Sequence, residues 1–248
     1  MRPERVVVHG LGDSLTAAIA DVWTNGGLVP WHEILVDRLR LMDLPVTLTS
    51  TYARVGATSA DVLREQVSNA SIERGDLVCL WVGGNDVLRS GYTPHDSRAA
   101  ISAVFDNVRR AGGVPLSMEL PRISSVLPGP SWAMRSWDEQ GALINALTAE
   151  LSMRSDGLHV LWPGAQVTGP DGTHLSQAGH YHYAAQYAIA LARRWGMPPP
   201  DVVVPNGLPT FTAWQRRWWY VSRGTRWLLR RRVDRHGHVD RHRRRASG

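Results

Sequence analysis

Lysine is absent from the 248 residues, so all 28 basic side chains are arginines, a bias of composition rather than a chemical signal. Cysteine occurs once, at Cys79, which excludes a disulfide within the chain. Its setting, Leu77-Val78-Cys79-Leu80-Trp81, predicts a buried, inert thiol. No apolar run approaches the length of a membrane span, and none precedes the first predicted strand, because Met1-Arg2-Pro3-Glu4-Arg5 leads straight into it. Neither a transmembrane helix nor a signal peptide is therefore expected, and the cytoplasm is the expected compartment. What is present describes a soluble globular protein: 43% hydrophobic and 20% charged residues in a chain long enough to bury a real core.

Charge is unevenly spread. Residues 198–248 hold 12 Arg against 3 Asp, or +9; with +6 for the whole chain, residues 1–197 carry −3. The main domain is mildly acidic and its C-terminal appendage strongly basic. That asymmetry argues against a nucleic-acid enzyme and for a basic accessory segment.

The centre of the reading is Gly12-Asp13-Ser14-Leu15-Thr16, directly after Val6-Val7-Val8. Three β-branched residues in a row suit a parallel strand covered on both faces. Gly10 and Gly12 are expected to turn the backbone, and Leu15 to Asp21 to continue as a helix broken by Asn25-Gly26-Gly27. Ser14 then stands at a strand-to-helix corner, on the edge of an open α/β sheet where ligands bind. Taken alone, the pentapeptide fits an N-cap serine equally well.

The rest of the chain alternates strand and helix. Trp31, Ile34, Leu35, Arg38 and Leu39 share helical spacing. Strands are predicted at Val46–Tyr52, Asp76–Val82, Val114–Glu119 and Leu158–Trp162, with helices at Ser97–Arg110, Trp137–Met153 and Gln177–Trp195. The segment Pro121–Pro130 reads as a Pro/Ser-rich loop. This order predicts a parallel five-stranded sheet in a three-layer α/β/α sandwich.

Four sites fall at or just beyond strand ends: Ser14, Gly56, Asn85 and the pair Asp171/His174. Acyl transfer needs a nucleophile, a base, a group that orients the base, and donors for an oxyanion. Ser14 supplies the hydroxyl, His174 can take its proton, and Asp171 can hold the imidazole in one tautomer. The backbone N–H groups of Ser14 and Gly56 and the side-chain amide of Asn85 are the predicted oxyanion donors. Singly, each site has a plain alternative. Asn85-Asp86 and Asp171-Gly172 also fit ordinary turns, and His174 a surface residue at a helix start. His180 and His182 are spaced i, i+2, which points them to different helix faces and rejects a zinc pair. Asp86 and Asp13 are expected to organise loops by hydrogen bonding.

Taken together, these blocks resemble the SGNH hydrolases, also called GDSL lipases or esterases. Gly12-Asp13-Ser14-Leu15 is similar to that family's first block and Arg54-Val55-Gly56-Ala57-Thr58-Ser59 to its glycine block. Gly83-Gly84-Asn85-Asp86 and Asp171-Gly172-Thr173-His174 are similar to the third and fourth. They stand in family order over about residues 5–195, and Leu175–His180 also looks familial. Ala53-Arg54 departs from the family where many relatives have asparagine before the glycine. The resemblance implies a flavodoxin-like sheet and hydrolysis of small-molecule or lipid acyl esters through an acyl-serine intermediate, with neither cofactor nor metal. An acyltransferase with the same triad is the alternative, as is a membrane-surface binding module with a vestigial site.

Pro198-Pro199-Pro200 separates an expected hydrolase domain, residues 1–197, from a Trp/Arg-rich tail, residues 198–248. Trp214, Trp218, Val221, Thr225 and Leu228 share one helical face among arginines, and Gly224 weakens the helix midway. Such a face suits an anionic membrane surface, or else it packs back on the domain with its arginines solvated. Nucleic acid is the least favoured partner.

Overall fold

The three valines open strand β1 (Val6–Gly12), which is buried at all seven positions. A strand with no polar face must be covered on both sides. A computed structural model describing residues 2–18, 27–89, 93–126, 130–201 and 204–224 shows how. β1 lies inside a sheet with β2 (Val46–Thr51), β3 (Leu77–Trp81), β4 (Val114–Met118) and β5 (Leu158–Val160). Every pairing is parallel, and the order is β2-β1-β3-β4-β5. This is the flavodoxin-like order, so the chain forms the predicted five-stranded α/β/α sandwich.

The described helices are α1 (Ser14–Ala17), α2 (Trp31–Arg40), α3 (Ser59–Asp61, continued by a π-helical segment Val62–Val67), α4 (Gly84–Leu88), α5 (Pro94–Ala111), α6 (Ile123–Val126), α7 (Ser131–Arg154), α8 (Gln177–Trp195) and α9 (Ala213–Trp219). Right-handed crossovers put α2 and α8 together on one face of the sheet, with the α3 segment, α5 and α7 on the other. On α2 the apolar spacing becomes packing: Trp31, Ile34, Leu35 and Leu39 are buried, each worth roughly 2 kcal/mol. Trp31 stacks on Tyr187 of α8 with ring centroids 5.1 Å apart. Arg38, on the same spacing, lays its guanidinium over the Tyr181 ring instead of entering the core. Cys79 is buried in β3, and desolvation pushes its thiol pKa well up.

Several boundaries differ from the sequence expectation, each for a local reason. Helix α1 stops after one turn because Ala18 adopts a left-handed conformation, φ 54°; residues 19–21 of the expected helix, and Asn25-Gly26 of its expected break, lie outside the described residues. Gly10 does not turn the chain. It stays in β1, and its missing side chain makes room for His32, since a Cβ there would sit 2.8 Å from the imidazole Nε2. Gly12, with φ 126°, makes the turn alone. Helix α5 starts earlier than expected, at Pro94, whose fixed φ suits a first helical position. α7 begins at Ser131, six residues before Trp137, and buries Met134 in its added turns. α6 lies in the expected loop Pro121–Pro130, of which residues 127–129 are outside the described residues. β5 ends at Val160, because Trp162 N–H turns to the Glu119 carboxylate at 2.8 Å. No helix among the described residues is long and apolar enough to cross a membrane.

Candidate active site

Strand β1 runs straight into the site. Gly12 lies against β3, where a Cβ would come 2.3 Å from the Trp81 carbonyl. Asp13 follows and caps α1, its carboxylate accepting from Leu15 N–H at 2.9 Å. Ser14 is the first residue of that helix. The Gly12 peptide is fixed from both sides by buried Gln66, which accepts from Gly12 N–H at 2.7 Å and donates to its carbonyl at 2.9 Å. Gln66 therefore sets the backbone two residues ahead of the hydroxyl.

The partner loop leaves the sheet after β5. A 3-10 turn, Ala165–Val167, and an antiparallel bridge between Thr168 and Leu175 close it. Ser176 caps α8 and also donates to the Val167 carbonyl, so the returning arm is tied to the outgoing one. Asp171 and His174 sit at the tip. Asp171 Oδ1 accepts from the backbone N–H groups of Thr173 and His174 at 3.1 and 3.0 Å. Its Oδ2 takes a short hydrogen bond from His174 Nδ1. The other ring nitrogen, Nε2, lies 3.0 Å from Ser14 Oγ across 160 residues of sequence. A proton on Nδ1, where the carboxylate holds it, leaves Nε2 as acceptor for the serine hydroxyl. Ser14, His174 and Asp171 thus form one connected line, in the order expected from the sequence for nucleophile, base and orienting carboxylate.

The expected oxyanion donors surround the same corner. Ser14 N–H opens α1 and has no acceptor within the helix. Gly56 holds φ 75°; its N–H has no partner among the described residues, and its carbonyl accepts from the Arg89 guanidinium. Asn85 is less free than the sequence suggests. Its Nδ2 donates to Asp13 Oδ2 at 3.2 Å and to the Ala57 carbonyl at 3.1 Å. Two acceptors fix which end of the amide is nitrogen, and an oxyanion would have to take over one of these hydrogens. Asp86 works by hydrogen bonding, as read from the sequence. It accepts from Ser59 N–H at 2.9 Å and Ser59 Oγ at 2.5 Å, binding the glycine block to the start of α4.

Asp13 carries an electrostatic cost. Burial raises its pKa from 3.8 to about 7, against the lowering effects of the Leu15 N–H bond, the nearby His174 and the Asn85 amide. A carboxyl group that binds its proton more tightly when folded contributes stability below about pH 4, which is lost as pH rises to about 7. Asp13→Asn removes that titration while keeping an oxygen for Leu15 N–H. The stability of the variant relative to wild type is expected to rise by up to about 4 kcal/mol between pH 4 and pH 8. Urea midpoints at both pH values test this; parallel slopes for the two proteins would show that Asp13 is ionised throughout.

Other histidines stay outside the line. His180 is buried and accepts from Trp31 N–H at 3.2 Å, tying α8 to α2; burial lowers its pKa to about 3. His182 packs edge-on against Tyr183. No group of three or more His, Cys, Asp or Glu among the described residues is arranged to hold a metal ion. A cavity of about 360 Å³ lies beyond Leu120, lined by Pro121, Arg122, Asn145 and His159 among others, but no triad residue lines it. Two contributors escaped the sequence reading, Gln66 and, from the C-terminal segment, Tyr220, whose hydroxyl donates to the Asp171 carbonyl; Ser59 stood in the glycine block with no role assigned.

Comparison with known proteins agrees with this fold. The crystal structure of the psychrotrophic esterase EstA from Pseudoalteromonas sp. is similar at 16% identity and a TM-score of 0.53, covering 78% of this chain and 100% of that one. The lipase/acylhydrolase from Enterococcus faecalis is similar at 18% identity and a TM-score of 0.55, covering 81% and 100%. Axe2, an acetylxylan esterase from Geobacillus stearothermophilus, is similar at 18% identity and a TM-score of 0.52, covering 81% and 97%. No curated protein matches the chain significantly. The model of the GDSL-like lipase/acylhydrolase family matches residues 11–182, which hold Ser14, Gly56, Asn85, Asp171 and His174. The chain belongs to the GDSL-like lipase/acylhydrolase family and is a hydrolase of that type.

Proposed function

We propose that the protein cleaves carboxylic esters through an acyl-Ser14 intermediate. The observation that carries this reading is the unbroken line Ser14 Oγ, His174 Nε2, His174 Nδ1, Asp171 Oδ2. His174 Nε2 takes the hydroxyl proton as Oγ adds to the ester carbonyl. Negative charge then develops on the carbonyl oxygen, and the N–H groups of Ser14 and Gly56, with the Asn85 amide, are its donors. Preorganised donors of this kind act most strongly where water is excluded, and Ser14 and Asn85 are both buried. Collapse of the tetrahedral species breaks the ester C–O bond, and the imidazolium returns its proton to the departing alkoxide. Water repeats the sequence on the acyl-serine, with His174 again the base, and releases the carboxylic acid.

Two readouts test the proposal. p-Nitrophenyl esters from acetate to decanoate should be turned over, and the preferred length would gauge the acyl site. An alkyl fluorophosphonate should add covalently, with the adduct on Ser14 by peptide mass spectrometry. One neighbour, EstA, is described as inhibited by monoethylphosphonate, which makes a phosphorus ester a fitting probe. A protein that cleaves none of the esters and takes no label on Ser14 would end this reading.

A further inference from the structure

The family match ends at residue 182, yet the chain continues into a helix that touches the catalytic loop. Thr212 and Gln215 close a reciprocal cap at the start of α9, with Gln215 N–H to Thr212 Oγ1 at 3.2 Å and Thr212 N–H to Gln215 Oε1 at 2.8 Å. A π-helical turn, Tyr220–Gly224, follows it. One side of this segment faces the domain. Trp219 and Tyr220 are buried, Tyr220 donates to the Asp171 carbonyl, and the Arg216 guanidinium donates to the Ala165 carbonyl at 2.5 Å. This segment is thereby fastened to the base and the tip of the loop that carries the orienting carboxylate.

Among the described residues nothing covers the opposite side. Trp214, Trp218 and Val221 are 70%, 58% and 65% exposed, and Arg217 stands exposed among them. Spacings of three and four residues put all four on one stripe. The sequence reading grouped Trp214, Trp218 and Val221 correctly as one face, but that face turns outward while Trp219 and Tyr220 pack. The grouped Thr225 and Leu228 lie outside the described residues. A helix does not leave two tryptophans and a valine in water without a cost that burial elsewhere would relieve.

We propose that this face docks on an anionic lipid surface, holding the catalytic loop beside the membrane. Three observations favour lipid over other partners. Indole rings with an aliphatic neighbour and a guanidinium match the headgroup boundary, where the apolar part enters and the cation stays among phosphates. Residues 198–248 carry +9 against −3 for residues 1–197, so attraction to an anionic surface is confined to the segment that bears the stripe. The two indoles lie 5.9 Å apart with planes within 2°, sharing a face between them. That is one continuous apolar pair, whereas a nucleic-acid site needs separate open faces for bases to stack on. The proposal is independent of which ester the enzyme cleaves.

Co-sedimentation of the full chain with vesicles tests it without recourse to activity. Vesicles of phosphatidylglycerol and phosphatidylcholine in equal parts should carry the protein down, and phosphatidylcholine alone should not. Trp214→Ser/Trp218→Ser should weaken that partition at least about tenfold with an unchanged Tm, because both residues are exposed and leave the inner contacts intact. Salt at about 0.5 M should release the wild type by screening. Equal partition of variant and wild type would overturn the proposal by assigning binding to the arginines alone. Absence of sedimentation with either vesicle would overturn it too, as would single-stranded RNA that displaces the vesicles and loses its own binding in the double variant, which would give the face to nucleic acid.

Discussion

Ser14→Ala is expected to lower kcat on any ester substrate by about four to six orders of magnitude. Ser14 Oγ lies 3.0 Å from His174 Nε2, and alanine puts no hydroxyl there to form the bond to carbon. The change should leave folding untouched. Among the described residues, Ser14 Oγ has no contact that holds the sheet, and alanine is an excellent residue at the start of a helix. Tm should therefore move by no more than about 1 °C, separating loss of chemistry from loss of structure. Residual turnover would come from the oxyanion donors and from substrate binding. His174→Ala should cost a similar factor, and adding it to Ser14→Ala should cost almost nothing more, because a base without its nucleophile has no proton to take. Measured kcat within tenfold of wild type would remove Ser14 from the mechanism.

The residues to which we assign the chemistry could be picked out because each is announced by local grammar. Ser14 follows a β-branched run and a glycine, Asn85 follows an apolar strand and two glycines, and Asp171 and His174 share one turn before a long amphipathic helix. The parallel sheet followed from the alternation of elements, and its flavodoxin-like character from the family resemblance alone. The supporting contacts were not legible, for a common reason. Gln66 reaches Gly12 across 54 residues, Asp86 reaches Ser59 across 27, and Tyr220 reaches Asp171 across 49. Periodicity says which face of a helix is apolar but not which distant backbone a buried amide or phenol will find. The same gap explains α9. Spacing grouped Trp214, Trp218 and Val221, but only the position of the catalytic loop decides that their opposite side is the one that packs. Asn85 shows the subtler case: residue and location were read correctly, while its two hydrogen bonds to Asp13 and Ala57 belong to the folded chain alone.

Asp171→Asn is expected to cost about 10⁴ in kcat with little loss of stability. The two halves of the side chain do different work. Oδ1 accepts from Thr173 and His174 N–H and shapes the turn; an asparagine oxygen can keep both bonds. Oδ2 faces His174 Nδ1, and there the variant presents an NH₂ that can only donate. Nδ1 must then be the acceptor, which moves the imidazole proton to Nε2. That proton points at Ser14 Oγ, so the hydroxyl meets a donor where it needs a base. Asp171→Ala should be worse in a second way, since it also strips an acceptor from two backbone N–H groups, at about 1–3 kcal/mol for each that stays buried. Comparing the two variants by kcat and by urea midpoint separates tautomer control from loop shape. If Asp171→Asn kept more than a tenth of wild-type kcat, the carboxylate would be a scaffold for the turn and not the group that orients the base. Tyr220 bonds the backbone carbonyl of residue 171 in either variant. Any difference between them therefore belongs to the side-chain acceptor that asparagine keeps and alanine loses, and not to the C-terminal helix that holds the loop from behind.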